Sequence, residues 1–225
     1  MDYDKAATRS AHILSNEAYK STERQQYITA ISLYKKAISL DPNLAVAYNN
    51  MAYDYEKMND NEAAIHSSQE AVRLAPHNAD FICELAYAYM KSDRNNEALK
   101  ALRRALALRP KSAIIYSDTA LLCHKMGLQT ERQAANEQAV RYAPDDISYL
   151  KILAHNYDER GRPQDAIKVY RKSLHIKQND QETRLGLAYS YLLNGNRAGA
   201  LEQYQVLKKS DAQLAAQLAR QLFLQ

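Results

Sequence analysis

The side chains that could do chemistry are few. His124, His155 and Asp158 form the best set, since imidazole and carboxylate can hold a metal ion or pass a proton. Histidine and aspartate are ordinary on polar surfaces, however, and nothing around them completes a motif. The chain has no glycine-rich phosphate loop, no H-E-x-x-H and no arranged Ser–His–Asp or Cys–His set. Cys123 adjoins His124 in sequence and therefore points to another side of any helix that carries both. The two cysteines, Cys83 and Cys123, read as partly buried thiols, with no disulfide framework and no zinc site. The expectation is a non-catalytic chain with no cofactor and no metal.

Composition narrows the class further. At 225 residues, 46% hydrophobic and 25% charged, the balance is that of a globular protein. A net charge of +4 is too mild to argue for nucleic acid as a partner. Seventeen Tyr against two Phe and no Trp suggests half-buried aromatic positions, where the ring packs and the hydroxyl reaches water or a partner. No apolar run approaches membrane-spanning length, and the first residues lack the apolar core of a signal peptide. A cytoplasmic setting is expected, or a periplasmic or secreted one if a leader was removed.

The elements that must position these side chains repeat every 34 residues. Pro42, Pro76, Pro110 and Pro144 make one column, continued by Gln178 and Ala212. Ala18, Ala52, Ala86, Ala120, Ala154 and Ala188 make an unbroken one. Ala30, Ala64, Ala98, Ala166 and Ala200 make another, broken only by Arg132. Small residues at fixed places mean helices packed too closely for anything larger. Asn59, Asp93, Gly127, Gly161 and Gly195 suit the left-handed conformation that ends a helix, so they mark a turn inside each copy. Asn78, Ser112, Asp146 and Asp180 are N-cap types that open the next copy. Apolar steps of three and four, as in Ile31, Tyr34 and Ile38, give each second helix a sticky face that only a neighbouring copy can cover. The copies are 11–44, 45–78, 79–112, 113–146, 147–180 and 181–214, after a polar lead-in at 1–10 that extends the first helix. Residues 215–225 read as a capping helix, with Leu214, Leu218 and Leu222 as its stripe. Ser15, Glu17 and Ser21, polar where the second copy is apolar or aromatic, suggest a terminal copy with one face in water.

These columns resemble the tetratricopeptide repeat. The second copy carries Tyr48, Met51, Ala52, Tyr55, Ala64, Ala71 and Pro76 at the signature places, and the likeness spans 11–214. It implies an all-α, right-handed superhelical solenoid of about six hairpins. It also implies that the first helix of each pair lines a concave groove that holds a peptide or protein segment, as in a scaffold or adaptor.

Matched to that family, the groove residues are Tyr19, Tyr53 and Tyr87, flanked by Asn50, Glu84 and Asp118, with His124, His155 and Tyr189 further along. Two readings of the tyrosines stand side by side. Either they bind an extended basic segment, or they pack between neighbouring helices. The pattern by which chaperone-binding members hold an acidic C-terminal tail is absent. Asn50 matches it, but Ser15, Tyr19, Asp80 and Glu84 do not, and two acids would repel a carboxylate. Binding of the acidic tails of heat-shock chaperones is therefore not expected. Lys57, Lys91 and Lys125 fall in the last turns of successive first helices, which the helix dipole favours. Lys100, Arg103, Arg104, Arg109 and Lys111 read as a solvated basic face rather than a nucleic-acid site. Gly186 within a helix costs about 1 kcal/mol against Ala and suggests a weak helix, in preference to the close approach of a partner or of neighbouring backbone. The alternative function is structural assembly as a homo-oligomer, through the outer face or the end at Leu222, Phe223 and Leu224.

Overall fold

The computed structural model describes residues 2–223, which form thirteen α-helices and, among the described residues, no strand. The helices pair as hairpins: α1 (Asp2–Glu23) with α2 (Tyr27–Leu40), α3 (Ala45–Lys57) with α4 (Asn61–Leu74), and α5 (Ala79–Lys91) with α6 (Asn95–Leu108). Then follow α7 (Ala113–Lys125) with α8 (Gln129–Tyr142), α9 (Ile147–Glu159) with α10 (Pro163–Ile176), and α11 (Gln181–Leu193) with α12 (Arg197–Ser210). A last helix, α13 (Ala212–Phe223), packs on α11 and α12. The chain divides into two compact units, Met1–Lys111 and Ser112–Gln225. Among the described residues no helix is long and apolar enough to cross a membrane.

The turn inside each hairpin has one chemistry throughout. Gln25, Asn59, Asp93, Gly127, Gly161 and Gly195 all take positive φ, between 57° and 73°. In each case the next residue's N–H donates to the carbonyl five back, as Asp60 does to Tyr55 and Arg162 to Tyr157, which ties off a dangling helix end. Gln25 belongs to the column but carries no composition signal, because glutamine has no preference for this conformation. Pro163 sits in the first turn of α10, where no N–H is needed. Asn78, Asp146 and Asp180 cap the following helices through their side chains, whereas Ser112 occupies the cap position without making that bond.

Each unit has its own core. In the first, Ala18, Ala30, Ile31, Tyr34, Ala37 and Met51 are buried where α1, α2 and α3 meet. Ser15 is buried with them, so the face expected to lie in water at that position is turned inward, while Glu17 is exposed. In the second, Ala154, Ile167, Tyr170, Leu187, Leu207, Leu218 and Leu222 form the core, and α13 supplies its last layer. Fully burying one such leucine contributes about 1.5–3 kcal/mol. α13 begins at Ala212, inside the sixth 34-residue frame, because the Asp211 carboxylate accepts from the N–H groups of Gln213 and Leu214. Leu222 is wholly buried and is therefore not a self-association residue; Phe223 is 58% exposed, its ring edge against Tyr204, and Leu224 lies outside the described residues.

One seam recurs inside both units. A residue on a second helix meets a tyrosine twenty positions on, in the next first helix: Gln69 donates to the Tyr89 hydroxyl (2.9 Å), the Tyr157 hydroxyl donates to Glu137 (2.9 Å), and Arg171 donates to the Tyr191 hydroxyl (2.6 Å). The partner is neutral, anionic or cationic from copy to copy, so geometry is kept while charge varies. Arg104 and Lys172 likewise donate to the carbonyls of Pro76 and Pro144. Arg109 pairs with Asp80 through two bonds of 2.6 and 2.7 Å. Two members of the basic cluster on and after α6 are thus used structurally.

Candidate partner-binding site

Four of the expected groove residues come together in the first unit. Tyr19 on α1, Asn50 and Tyr53 on α3 and Glu84 on α5 line one cavity of about 440 Å³, with Thr22, Glu23, Gln25, Tyr27, Tyr34 and Asn49 completing it. The repeat explains the convergence. Tyr19 and Tyr53 share one column and Asn50 and Glu84 another, so successive first helices present them at neighbouring heights. Tyr19, Tyr53 and Tyr87 are 51%, 43% and 41% exposed, so their rings are not consumed by packing.

The floor of the cavity is polar and buried. The Tyr34 hydroxyl lies between the side chains of Thr22 and Asn50, which favour its ionised form, but makes no well-formed hydrogen bond to either. Burial pushes that hydroxyl up to about 12. The Thr22 hydroxyl donates to Asp54 Oδ2 at 2.9 Å, and Asp54 Oδ1 is left unpaired. Burial drives the Asp54 carboxyl up to about 6, and the Thr22 bond offsets only part of that. Tyr34 belongs to an apolar stripe and read from sequence as packing alone; its one signal was a polar-tipped ring on a face otherwise aliphatic.

The lysines on this face are engaged with the aromatic ladder. Lys57 Nζ lies 4.7 Å from the Tyr53 ring centroid and Lys91 Nζ 5.2 Å from that of Tyr87. Cation–π attraction therefore joins the helix dipole in placing them. Glu56, between the rungs, is raised chiefly by burial, against the pull of Lys57 and Lys91.

Tyr87 lies in the first unit beside that cavity and not in its lining; the other expected residues lie in the second unit and do not converge as one site. Asp118 is half-buried on α7, its carboxyl raised by burial. His124 is exposed on α7, and buried Cys123 beside it points inward, more enclosed than expected. His155 is exposed on α9 and faces Glu159 at 3.4 Å. Asp158 accepts from Ser190 at 2.6 Å. Tyr189 is half-buried and packs on the core to which α13 contributes, with Gln217 near its hydroxyl. Among the described residues, no three His, Cys, Asp or Glu side chains are grouped as metal ligands. Arg132, the exception in its alanine column, is buried and paired with Glu159 at 2.6 Å.

Gly186 has a specific cause. A Cβ there would lie 2.6 Å from Cζ of Tyr170, whose buried ring fills the space. The glycine makes room for a neighbour's side chain and does not mark a weak helix.

A tetratricopeptide-repeat family model matches residues 55–122 and 159–222, and a second TPR-repeat model matches 19–59. The chain belongs to the tetratricopeptide-repeat family. Solved structures agree. MamA is 25% identical, with a TM-score of 0.66 over 73% of this chain and 96% of its own. PilF of Pseudomonas aeruginosa is 16% identical, with a TM-score of 0.72 over 91% and 93%. YrrB, described as a TPR protein with an unusual peptide-binding site, is 17% identical, with a TM-score of 0.67 over 83% and 97%. No curated protein matches the chain in sequence. Proteins of this repeat family act generally as protein–protein interaction scaffolds.

Proposed function

We propose that this chain is a non-catalytic adaptor that holds an extended peptide or protein segment on the α1, α3 and α5 face of its first unit, and that the segment is basic. The observation that carries the reading is the cavity between the exposed rings of Tyr19 and Tyr53. It has aromatic walls, a buried polar floor and, as its charged lining residues, Glu23 and Glu84. Tyrosine offers contact area and a hydroxyl at low entropy cost, and Asn50 can donate to and accept from a partner's backbone at once. Acidic tails are excluded by the same charges. Two thiols suit a reducing, cytoplasmic setting. Selection from a displayed library of twelve-residue peptides tests the proposal. Wild-type protein should enrich basic sequences, and the Tyr53→Ala, Glu84→Ala double variant should not; equal capture by both would sink it.

Self-assembly through the C-terminal end has one observation behind it, the exposed Phe223 ring. Deleting 215–225 would strip buried core residues from the second unit, so it is a poor test. Phe223→Ser leaves Leu218 and Leu222 in place. Loss of a concentration-dependent oligomer on that change, seen by sedimentation, would favour assembly over the adaptor reading.

A further inference from the structure

We propose that the cavity bounded by Tyr19, Tyr34, Tyr53 and Glu84 is the seat of one arginine side chain of the bound segment. This rests on the adaptor reading above and names the residue the groove selects.

Three observations converge on a multiple hydrogen-bond donor. First, the Tyr34 hydroxyl at the cavity floor is buried between the side chains of Thr22 and Asn50 but makes no well-formed hydrogen bond to either. A buried polar group in that state calls for a ligand or water to complete it. Secondly, two further buried oxygens nearby lack a donor: Oδ1 of Asn49, which lines the cavity, and Oδ1 of Asp54, whose other oxygen is held by the lining residue Thr22. A carboxylate oxygen can only accept, and an amide oxygen likewise, so what both lack is a hydrogen-bond donor, N–H or O–H, and a guanidinium brings several at once. Thirdly, the charged residues of the lining, Glu23 and Glu84, are both acids.

Arginine meets these demands better than lysine. Its guanidinium carries five N–H donors in a plane, sheds water more readily and stacks on aromatic faces, whereas an ammonium is a compact, strongly hydrated charge. Tyr19 and Tyr53 supply the faces, and the protein itself shows that the Tyr53 ring attracts a cation, since Lys57 Nζ already lies over it at 4.7 Å. Lys57 is not part of the cavity lining, so it does not occupy the seat. A carboxylate ligand would meet acids, and an apolar one would leave the floor unpaired.

The test takes the tightest peptide from the displayed library and replaces its arginine by citrulline, lysine or glutamate. Citrulline keeps the shape and loses the charge. Calorimetry should show citrulline weakening binding by about tenfold or more, lysine less than citrulline, and glutamate most. Glu84→Gln and Tyr34→Phe should each shrink the arginine-to-citrulline ratio, whereas Tyr87→Ala, outside the cavity, should weaken all four peptides alike. Tyr34→Phe keeps the ring and removes a hydroxyl that makes no well-formed hydrogen bond, so it should melt close to wild type, and an unchanged melting temperature separates its effect from folding. Equal affinity for arginine and citrulline peptides, equal affinity for lysine, or a ratio indifferent to both variants overturns the arginine seat and leaves the groove standing. A library that yields no binder removes the adaptor reading and the seat with it.

Discussion

Two junctions in this molecule occupy the same repeat columns and solve the same packing problem differently. In the first unit, Tyr34 projects toward Asn50, and Thr22 donates to Asp54. Four repeat lengths on, Tyr170 projects over Gly186, and Ser190 donates to Asp158. Tyrosine and the hydroxyl–carboxylate clasp are retained, but the carboxylate has changed sides: it lies on the following helix in the first unit and on the preceding helix in the second. With Asn50 opposite, Tyr34 borders a cavity. With Gly186 opposite, the Tyr170 ring takes the space. A surface pair in shared columns differs as well, Tyr53 with Lys57 on α3 and, three repeat lengths on, His155 with Glu159 on α9. A shared backbone solution therefore leaves the character of the exposed face to a few substitutions.

The largest effect should come from closing the gap that Gly186 leaves. Gly186→Ala places a methyl against a ring that is itself buried, and overpacking should cost about 2–3 kcal/mol, outweighing the better helix propensity of alanine. Chemical denaturation reads the loss, and Tyr170→Leu in the same chain should restore most of it. If Gly186→Ala is stabilising, the two junctions are not distinguished by ring packing.

Arg132 is the next difference, since the first unit has Ala30, Ala64 and Ala98 in its column. Glu159→Ala leaves a buried guanidinium unpaired and should destabilise by about 2 kcal/mol, allowing for the partial exposure of the pair. The Arg132→Ala, Glu159→Ala double variant should lose less than the single one. A double variant as unstable as Glu159→Ala would mean that the pair, not the isolated charge, matters.

The two clasps make a pH prediction. Asp54 and Asp158 are each raised to about 6, chiefly by burial, so the folded state prefers their protonated forms. Their contribution is fully present below the unfolded value near 4 and is lost as pH rises through about 6. Discounted for solvent near each group, it should be on the order of 1 kcal/mol apiece. Asp54→Asn and Asp158→Asn should each flatten the dependence of melting temperature on pH between 4 and 7. Flattening by one and not the other would separate the junctions despite their shared geometry.

The smallest effect belongs to the surface pair. Lys57→Met should cost about 0.5 kcal/mol, the worth of an exposed cation–π contact. A change of several times that size would show the Lys57–Tyr53 pair to be structural.

The repeat frame was legible because it rests on local rules. A residue after a helix end must take positive φ, and glycine, asparagine and aspartate do so readily; Asn59, Asp93, Gly127, Gly161 and Gly195 all obey. Gln25 obeys too but is invisible, because there the surrounding turn imposes a conformation its side chain does not advertise. The repeat carries a column from one copy to the next, which sets Tyr19 with Tyr53 and Asn50 with Glu84; that these columns line the groove is what the family resemblance implies. Tyr34 was not legible, because whether a stripe tyrosine is packed or borders a cavity depends on the residue facing it across two helices.

The amino-acid sequence by itself determined the helical hairpins, their turns, the close-packed alanine columns and the membership of a repeat family, since each follows from neighbours within one repeat or at one fixed spacing. Tertiary structure alone decided which unpaired oxygens are buried together, that Leu222 is core, that Gly186 houses a ring and that His155 and Asp158 are engaged separately. Those outcomes depend on side chains from different copies meeting at distances of a few ångströms, and hydrogen bonding and packing change sharply over that range.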